Sequence, residues 1–370
     1  MTLNLTKLGL KQVINASGKM TILGVSKVSE GVLTAQRFGG EHFFEMSELA
    51  VKTGAYLAKL LQVEDAQIVS SASAGIAQSV AAVIGQGSSF HLYHPYSEKI
   101  QRREIILPKG HNVDYGTPVE VMVQQGGGQV VEAGYANMCS VDHIAQMISP
   151  QTAAILYIKS HHTVQKSMLS VKETAQVAKQ SVIPLIVDAA AEEDLFRYIQ
   201  EGADLVIYSG AKALSGPSAG LVIGRKELIE WVRLQSKGIG RSMKIGKENM
   251  MGLTQAVEEY LAEGSESGAS MKHRLELFIA ALNQIIGLSA DIVQDGAGRD
   301  IYRARVRVQN GPSAMEVIQK LKVEEPAIYT REYQANHGII EFDIRAVTET
   351  EMHVIVNRLK EIMNPEEPKE

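Results

Sequence analysis

Between residues 66 and 224, short apolar runs rich in β-branched residues alternate with segments of helical periodicity. The runs are AQIVS (66–70), EIIL (104–107), QVVEA (129–133), AAILYI (153–158), IPLIVD (183–188), DLVIYS (204–209) and AGLVIG (219–224). Helical segments lie between most of them, at 75–86, 117–126, 140–147, 170–180 and 191–201. Strands this uniformly apolar need cover on both faces. A strand–helix–strand succession supplies it by forming a mainly parallel sheet with helices on either side. The fold class that follows is α/β.

The flanking segments behave differently. Residues 1–40 are rich in Gly, Ser and Thr with little periodicity and read as an irregular N-terminal arm. Residues 44–62 then read as an amphipathic helix, with Met46, Leu49, Thr53, Leu57 and Leu60 at helical spacing. Beyond residue 225 helical stretches dominate 226–236, 246–262 and 266–286. The last hundred residues read as a smaller α+β unit, with strands at 301–308 and 338–347, a helix at 312–321 and a closing helix from 349. Thr348 and Glu351 form the capping box of that closing helix. The predicted division is an arm (1–40), a large α/β domain (41–245), and linking helices with a C-terminal α+β domain (246–370).

Open α/β sheets bind ligands at the carboxyl ends of their strands. Asp188 ends one apolar run, and the next ends in Ser209-Gly210-Ala211-Lys212, so a carboxylate and a lysine share one edge of the sheet. Ser70-Ser71-Ala72-Ser73-Ala74-Gly75 follows a strand and opens a helix, where free N–H groups and the helix dipole favour an anion. A strand-end Asp alone is commonly a cap, and a lone Lys after a strand is commonly a solvated charge. The three features in this order suit pyridoxal 5'-phosphate. That cofactor needs a lysine for its Schiff base, commonly an acid at its pyridine nitrogen, and a phosphate cup.

On these residues the chain resembles fold-type-I pyridoxal-phosphate enzymes, and more narrowly their selenocysteine-synthase-like branch. The resemblance runs over nearly the whole chain: VINASGKMTILG, GGEHFFEMSELA, SSASAG, IVDAAAEE and SGAKALSGPSAGLVIG carry it. Within the branch it is most similar to the ammonia-lyases of D-glucosaminate 6-phosphate. The resemblance implies that Lys212 is the Schiff-base lysine, Asp188 the ring-nitrogen acid, and Ser73, Ala74, Gly75 and Ser209 the phosphate contacts. It implies α,β-elimination from a phosphorylated 2-amino sugar acid, and a homodimer or larger homo-oligomer. Selenium or sulfur transfer to an aminoacyl-tRNA is the alternative. It is disfavoured because the chain begins almost directly at the VINASG arm, where the transferases carry a further domain. A non-catalytic relative acting as a binding or regulatory protein is the second alternative, and retention of Asp188 and Lys212 speaks against it.

Other residues fall on the same edge. Lys159-Ser160-His161-His162 follows the AAILYI run. His161 is a candidate acid for the departing hydroxyl, and Lys159 a candidate for substrate binding. His111 is expected to stack on the cofactor ring, with Tyr115 the alternative. A phosphorylated sugar acid needs cations at both ends. Arg345 comes first because a strand would fix its direction, then Arg331, with Arg102, Arg103, Lys19, Lys244 and Lys247 as further options. Gly126-Gly127-Gly128 lacks the GxGxxG pattern and reads as a helix end.

Composition narrows the partners. Lys plus Arg number 37 against 42 Asp plus Glu, a net charge of −5 with no basic block, which argues against a nucleic-acid partner. No apolar run approaches membrane-spanning length and no secretory leader is evident, so a cytoplasmic protein is expected. The single cysteine, Cys139, excludes an internal disulfide. No third ligand stands near the histidine pair, so no metal is expected.

Overall fold

The computed structural model describes residues 3–160, 162–295 and 299–364. It divides into two compact units: residues 28–264, and residues 1–27 together with those from 265 onward. This differs from the predicted boundaries at both ends. The first strand, β1 (Val13–Ala16), pairs in parallel with a strand more than 300 residues later, so the arm belongs to the smaller unit. Residues 30–41, expected to be irregular, form a helix that packs on the helix Lys247–Glu263, which keeps the latter in the large unit. Both pairings are remote in sequence, and local pattern carries no trace of them.

The large unit is built on seven strands: β2 (Asp65–Val69), β3 (Glu104–Pro108), β4 (Gln129–Ala133), β5 (Thr152–Ile158), β6 (Leu185–Asp188), β7 (Leu205–Ser209) and β8 (Gly220–Gly224). Their order across the sheet is β2-β8-β7-β6-β5-β3-β4. Strands β3 to β7 run parallel, and β8 runs antiparallel to both neighbours. The sheet is thus mainly parallel, as the apolar runs predicted. Every residue of β2, β5, β6 and β8 is buried, because helices cover both faces. The helix Ala72–Gly85 is buried at every position from Ala74 onward. Each Val or Ile it buries stabilises the fold by roughly 1.5–3 kcal/mol.

That helix starts unusually close to the sheet. A Cβ on Gly75 would meet Ile207 Cγ2 at 2.9 Å, and one on Gly220 would meet the Ser71 backbone at 2.5 Å. The two glycines therefore set the height of the helix N-terminus above β7 and β8.

The smaller unit holds β9 (Leu288–Gln294), β10 (Tyr302–Val308), β11 (Ala327–Thr330) and β12 (Ile339–Phe342). Strands β12-β10-β9 form an antiparallel sheet, and β11 pairs with β1. The Thr348–Glu351 capping box is present, Glu351 N donating to Thr348 Oγ1 at 3.2 Å. The strand predicted over 338–347 stops at Phe342. The Asp343 side chain accepts from Arg345 N and opens a 3-10 turn, Ile344–Ala346. The helix predicted over 191–201 shortens to Arg197–Gln200, because Asp194 Oδ1 takes the amides of Phe196 and Arg197 at 3.0 Å. Among the described residues no helix is long and apolar enough to cross a membrane.

Gly220→Ala should lower stability by about 1–3 kcal/mol, since fixed backbone stands where the methyl must go. Gly40→Ala, on an exposed helical surface with only Glu248 Cγ at 3.9 Å, should be neutral or stabilising by up to about 1 kcal/mol. Urea unfolding of the two variants checks the contrast, and equal effects would refute the packing argument.

Candidate active site

The carboxyl edge of the large sheet collects polar groups from several loops. Asp188 is the last residue of β6, in register with Ile207 of β7. It is buried, and its Oδ1 accepts from Ala190 N at 3.1 Å. Burial pushes its carboxyl up to about 6, against the opposing pull of the Lys212 ammonium and the Ala190 N–H. A carboxylate held this way gains from a further N–H donor of positive charge.

Lys212 lies in the connection between β7 and β8. Gly210 N donates to Ala219 O and Gly216 N to Gly210 O, both at 2.8 Å, which closes the base of that loop. A Cβ on Gly210 would meet Leu253 Cδ1 at 2.7 Å, and one on Gly216 would meet Ala256 Cβ at 2.8 Å. Small residues around the lysine thus let its loop seat on the helix Lys247–Glu263. Ser209 ends β7, and its amide donates to Ala190 O at 3.2 Å, stitching the Asp188 and Lys212 loops together.

The helix Ala72–Gly85 opens at the same edge with Ser71 as its N-cap. Ser71 Oγ accepts from Ala74 N at 3.0 Å, and Ser71 O accepts from Gly75 N at 2.9 Å. This bears on the residues expected to contact a phosphate, Ser73, Ala74, Gly75 and Ser209. The Ala74 and Gly75 amides are taken, whereas those of Ala72 and Ser73 make no hydrogen bond among the described residues. Which serine of the SSAS run caps the helix decides this, and sequence leaves that choice open. Ser73 Oγ lies 3.2 Å from the Tyr115 hydroxyl. Tyr115 is raised above the usual phenol range, first by burial and, against its Ser73 bond, also by Asp188 and Asp114. Ser73, Tyr115, Asp188 and Lys212 therefore share one locality.

His111 does not fit the stacking role expected of it. Its ring is wholly buried, edge-on to Tyr157 at 4.5 Å. Nε2 lies 3.2 Å from Val164 O, and Nδ1 accepts from Ile158 N at 3.4 Å. Burial pushes its pKa down to about 4, so the ring is neutral near pH 7 and braces two loops. The His111 ring offers no exposed face in this structure, whereas the alternative, Tyr115, lies beside Ser73. Lys159 follows β5, its amide donating to Asp188 O at 2.8 Å and its Nζ to Gln165 Oε1 at 2.7 Å. His161 lies outside the described residues.

The arginines resolve differently. Arg102 and Arg103 precede β3, at the opposite edge of the sheet. There Arg102 donates to the carbonyls of Thr152 and Ala153, and Arg103 to those of Ile100, Ser97 and Gly127. Lys247 donates to the carbonyls of Gly39 and Gly40, capping the helix Glu30–Glu41, and Lys244 is exposed. In the smaller unit Lys19 is half-buried, next to Gly18. Arg345 sits in the 3-10 turn rather than on a strand, its Nε and Nη2 held by Asp343 at 2.9 and 2.8 Å. Arg303 joins Asp343 to Asp295 at 3.1 and 2.8 Å. Arg331 is less engaged. Its Nη1 is 3.5 Å from Ser17 O, and its buried Nε, 3.9 Å from Glu341 Oε2, has no hydrogen-bond acceptor among the described residues. Cys139 is buried, and burial pushes its thiol up to about 11.

A seven-stranded sheet of this order, with an acid closing β6 and a lysine in the β7–β8 loop, is the architecture of fold-type-I pyridoxal-phosphate enzymes. The chain belongs to the L-seryl-tRNA selenium transferase family, SelA, whose model matches residues 53–294. It is 46% identical over 359 residues to D-glucosaminate-6-phosphate ammonia lyase of Salmonella typhimurium, covering 96% of each chain. It is 36% identical to a Streptomyces 5'-C-glycyluridine monooxygenase-decarboxylase, over 98% of this chain and 92% of the other. A solved structure of D-glucosaminate-6-phosphate ammonia-lyase superposes with a TM-score of 0.92 at 47% identity, covering 98% of this chain and 99% of the other.

The raised Asp188 pKa has a signed consequence. The native carboxyl binds its proton more tightly than the unfolded chain does. Asp188 therefore favours the native state below about pH 4, and that contribution is lost as pH rises through about 6. In cofactor-free protein, Asp188→Asn should raise stability at about pH 8 by roughly 1–3 kcal/mol, with the gain shrinking towards about pH 5. Urea unfolding at both pH values checks it, and an equal effect at both would remove the buried charge as the cause. His111→Asn should lower stability without moving the pH profile of activity between about pH 6 and 9, since a group with a pKa near 4 does not titrate there. A moved profile would return His111 to the chemistry.

Proposed function

We propose that this chain binds pyridoxal 5'-phosphate and acts as an ammonia-lyase on a phosphorylated 2-amino sugar acid, first among them D-glucosaminate 6-phosphate. The observation that carries this reading is 46% identity over nearly the whole chain to a lyase of that substrate, with Lys212 and Asp188 on one sheet edge. The residues fit the cofactor. Asp188 offers a buried carboxylate to a protonated ring nitrogen, and the Ala72 and Ser73 amides offer donors to a phosphate. Tyr115 offers an aromatic face beside both. When bound, the cofactor supplies the electron sink for a carbanion at the substrate α-carbon.

The protein's own groups do the rest. Lys212 Nζ would hold the cofactor covalently and, once freed by the substrate amine, would be the base for the α-proton. Asp188 would keep the ring nitrogen protonated, as a buried carboxylate does strongly. The 3-hydroxyl leaves as water with a proton from Lys212 Nζ or His161. Hydrolysis of the released product takes up one water, so the net change is loss of ammonia and formation of 2-keto-3-deoxygluconate 6-phosphate. Lys159, Arg331 and Arg345 are the proposed cations for the carboxylate and phosphate. Arg331 ranks above Arg345, because its Nε still lacks an acceptor while the Arg345 guanidinium is held by Asp343.

Purified, cofactor-loaded protein should form keto acid from D-glucosaminate 6-phosphate and far less from the unphosphorylated acid. Lys212→Ala should reduce turnover by about three orders of magnitude or more. No product from either acid, in protein that still carries cofactor on Lys212, would reject the substrate and reopen the transferase reading. Tyr115→Ala should weaken cofactor retention by roughly 1–2 kcal/mol, measured as the pyridoxal-phosphate dissociation constant, while Tyr115→Phe should retain most of the affinity. Unchanged affinity in Tyr115→Ala would exclude the stacking role.

A further inference from the structure

The large sheet has a second built edge. At the amino-terminal ends of its strands lies a cleft of about 650 Å³, within the range of small-molecule sites. One wall is the helix Val171–Gln180, which turns Lys172, Ala175, Gln176 and Lys179 into the cleft at i, i+3, i+4 and i+7 spacing. Arg102 lines it from the segment before β3, and Trp231 from the helix Lys226–Leu234. Val83, Ile183, Pro184 and Leu228 supply apolar surface.

The charges of the lining do not cancel. Four cations, Arg102, Lys172, Lys179 and Arg225, line it against three acids; Glu201 pairs with Arg197 at 2.7 Å, and Asp204 and Glu227 share Arg225 at 3.2 and 3.9 Å. Arg102, Lys172 and Lys179 have no acidic partner among the described residues. Arg102 is half-buried and fixed by the carbonyls of Thr152 and Ala153 at 3.0 and 3.3 Å, so its guanidinium is oriented in advance. Burial lowers its pKa. The Trp231 indole lies beside Gly87, where a Cβ would meet its Nε1 at 3.1 Å, so the absence of a side chain there leaves room at the indole N–H.

We propose that this cleft is a second binding site, for a small molecule with two anionic ends such as a phosphorylated carboxylic acid. Lys172 and Lys179 stand two helical turns apart, about 10 Å along the axis, the span of a six-carbon chain charged at both ends. Arg102 faces the ligand from across the cleft, and the Trp231 face packs its carbon chain. The site is separate from the catalytic edge. Strands β5, β6 and β7 have their first residues here and their last at Asp188 and Ser209, roughly 13–20 Å away. Occupancy here would bear on catalysis through the strands that end in those residues.

The test uses cofactor-loaded protein and 6-phosphogluconate, with gluconate as the one-anion control. Trp231 is the sole tryptophan, so its fluorescence reports this cleft, and calorimetry measures stoichiometry alongside. Saturable binding with a fluorescence change is expected, weaker for gluconate by about ten-fold or more. Lys172→Glu/Lys179→Glu, both at exposed positions, should weaken the binding by about ten-fold or more and leave keto-acid formation intact, while Lys212→Ala should leave the binding unchanged. Binding unaffected by the double charge reversal, binding lost in Lys212→Ala, an equal response to sulfate at matched ionic strength, or no saturable binding by either readout would each overturn the proposal.

Discussion

The fold rests on a sheet whose central strands are buried on both faces, and that burial decides where polar chemistry can occur. Side chains in the body of β5, β6, β7 and β8 pack mostly among apolar neighbours. Ionisable groups are therefore driven to the strand ends, where loops bring backbone donors and water. Asp188 stands at this limit: the last residue of β6, still buried, still charged in part because Lys212 and the Ala190 amide face it. The cost of holding that carboxylate is what would make it a strong partner for a protonated ring nitrogen in the proposed cofactor site.

Close packing places the remaining groups. Gly75 and Gly220 let the first turn of the helix Ala72–Gly85 settle onto β7 and β8, and Gly210 and Gly216 let the Lys212 loop settle onto the helix Lys247–Glu263. None of these glycines needs an unusual φ for this purpose; each matters because a methyl group would displace backbone or a core side chain. The resulting arrangement sets two free amides, a tyrosine, a carboxylate and a lysine on one edge. Relatives at 46% and 36% identity carry names of different reactions, so the shared frame does not by itself define the reaction.

Much of this was legible in the chain. Apolar runs of four to six residues announced buried strands, and all seven appear within a residue or two of their expected bounds. Asp188, Ser209 and Lys212 were legible as strand-end residues because a parallel sheet brings all such ends to one side. The Thr348–Glu351 box was legible because capping is a local interaction. By contrast, β1, β9 and β11 escaped notice. β1 and β11 have four residues each and find their partner in each other across the chain, and β9 is only half-buried, which blurs its apolar signal.

What the sequence by itself determined is the set of local and periodic facts: a parallel α/β core, an acid and a lysine at neighbouring strand ends, and a small-residue turn opening a helix. What only the tertiary structure decided is how groups far apart in the chain use one another. It put His111 inside the protein against Tyr157 and left Tyr115 at Ser73. It tied Arg345 to Asp343, set the Arg331 Nε at 3.9 Å from Glu341, and moved Arg102 to the far edge of the sheet. The physical reason is common to all of these. A residue type fixes which interactions a side chain is able to make, but burial and the competing partners within hydrogen-bond reach fix which of them it does make, and both are properties of the folded chain.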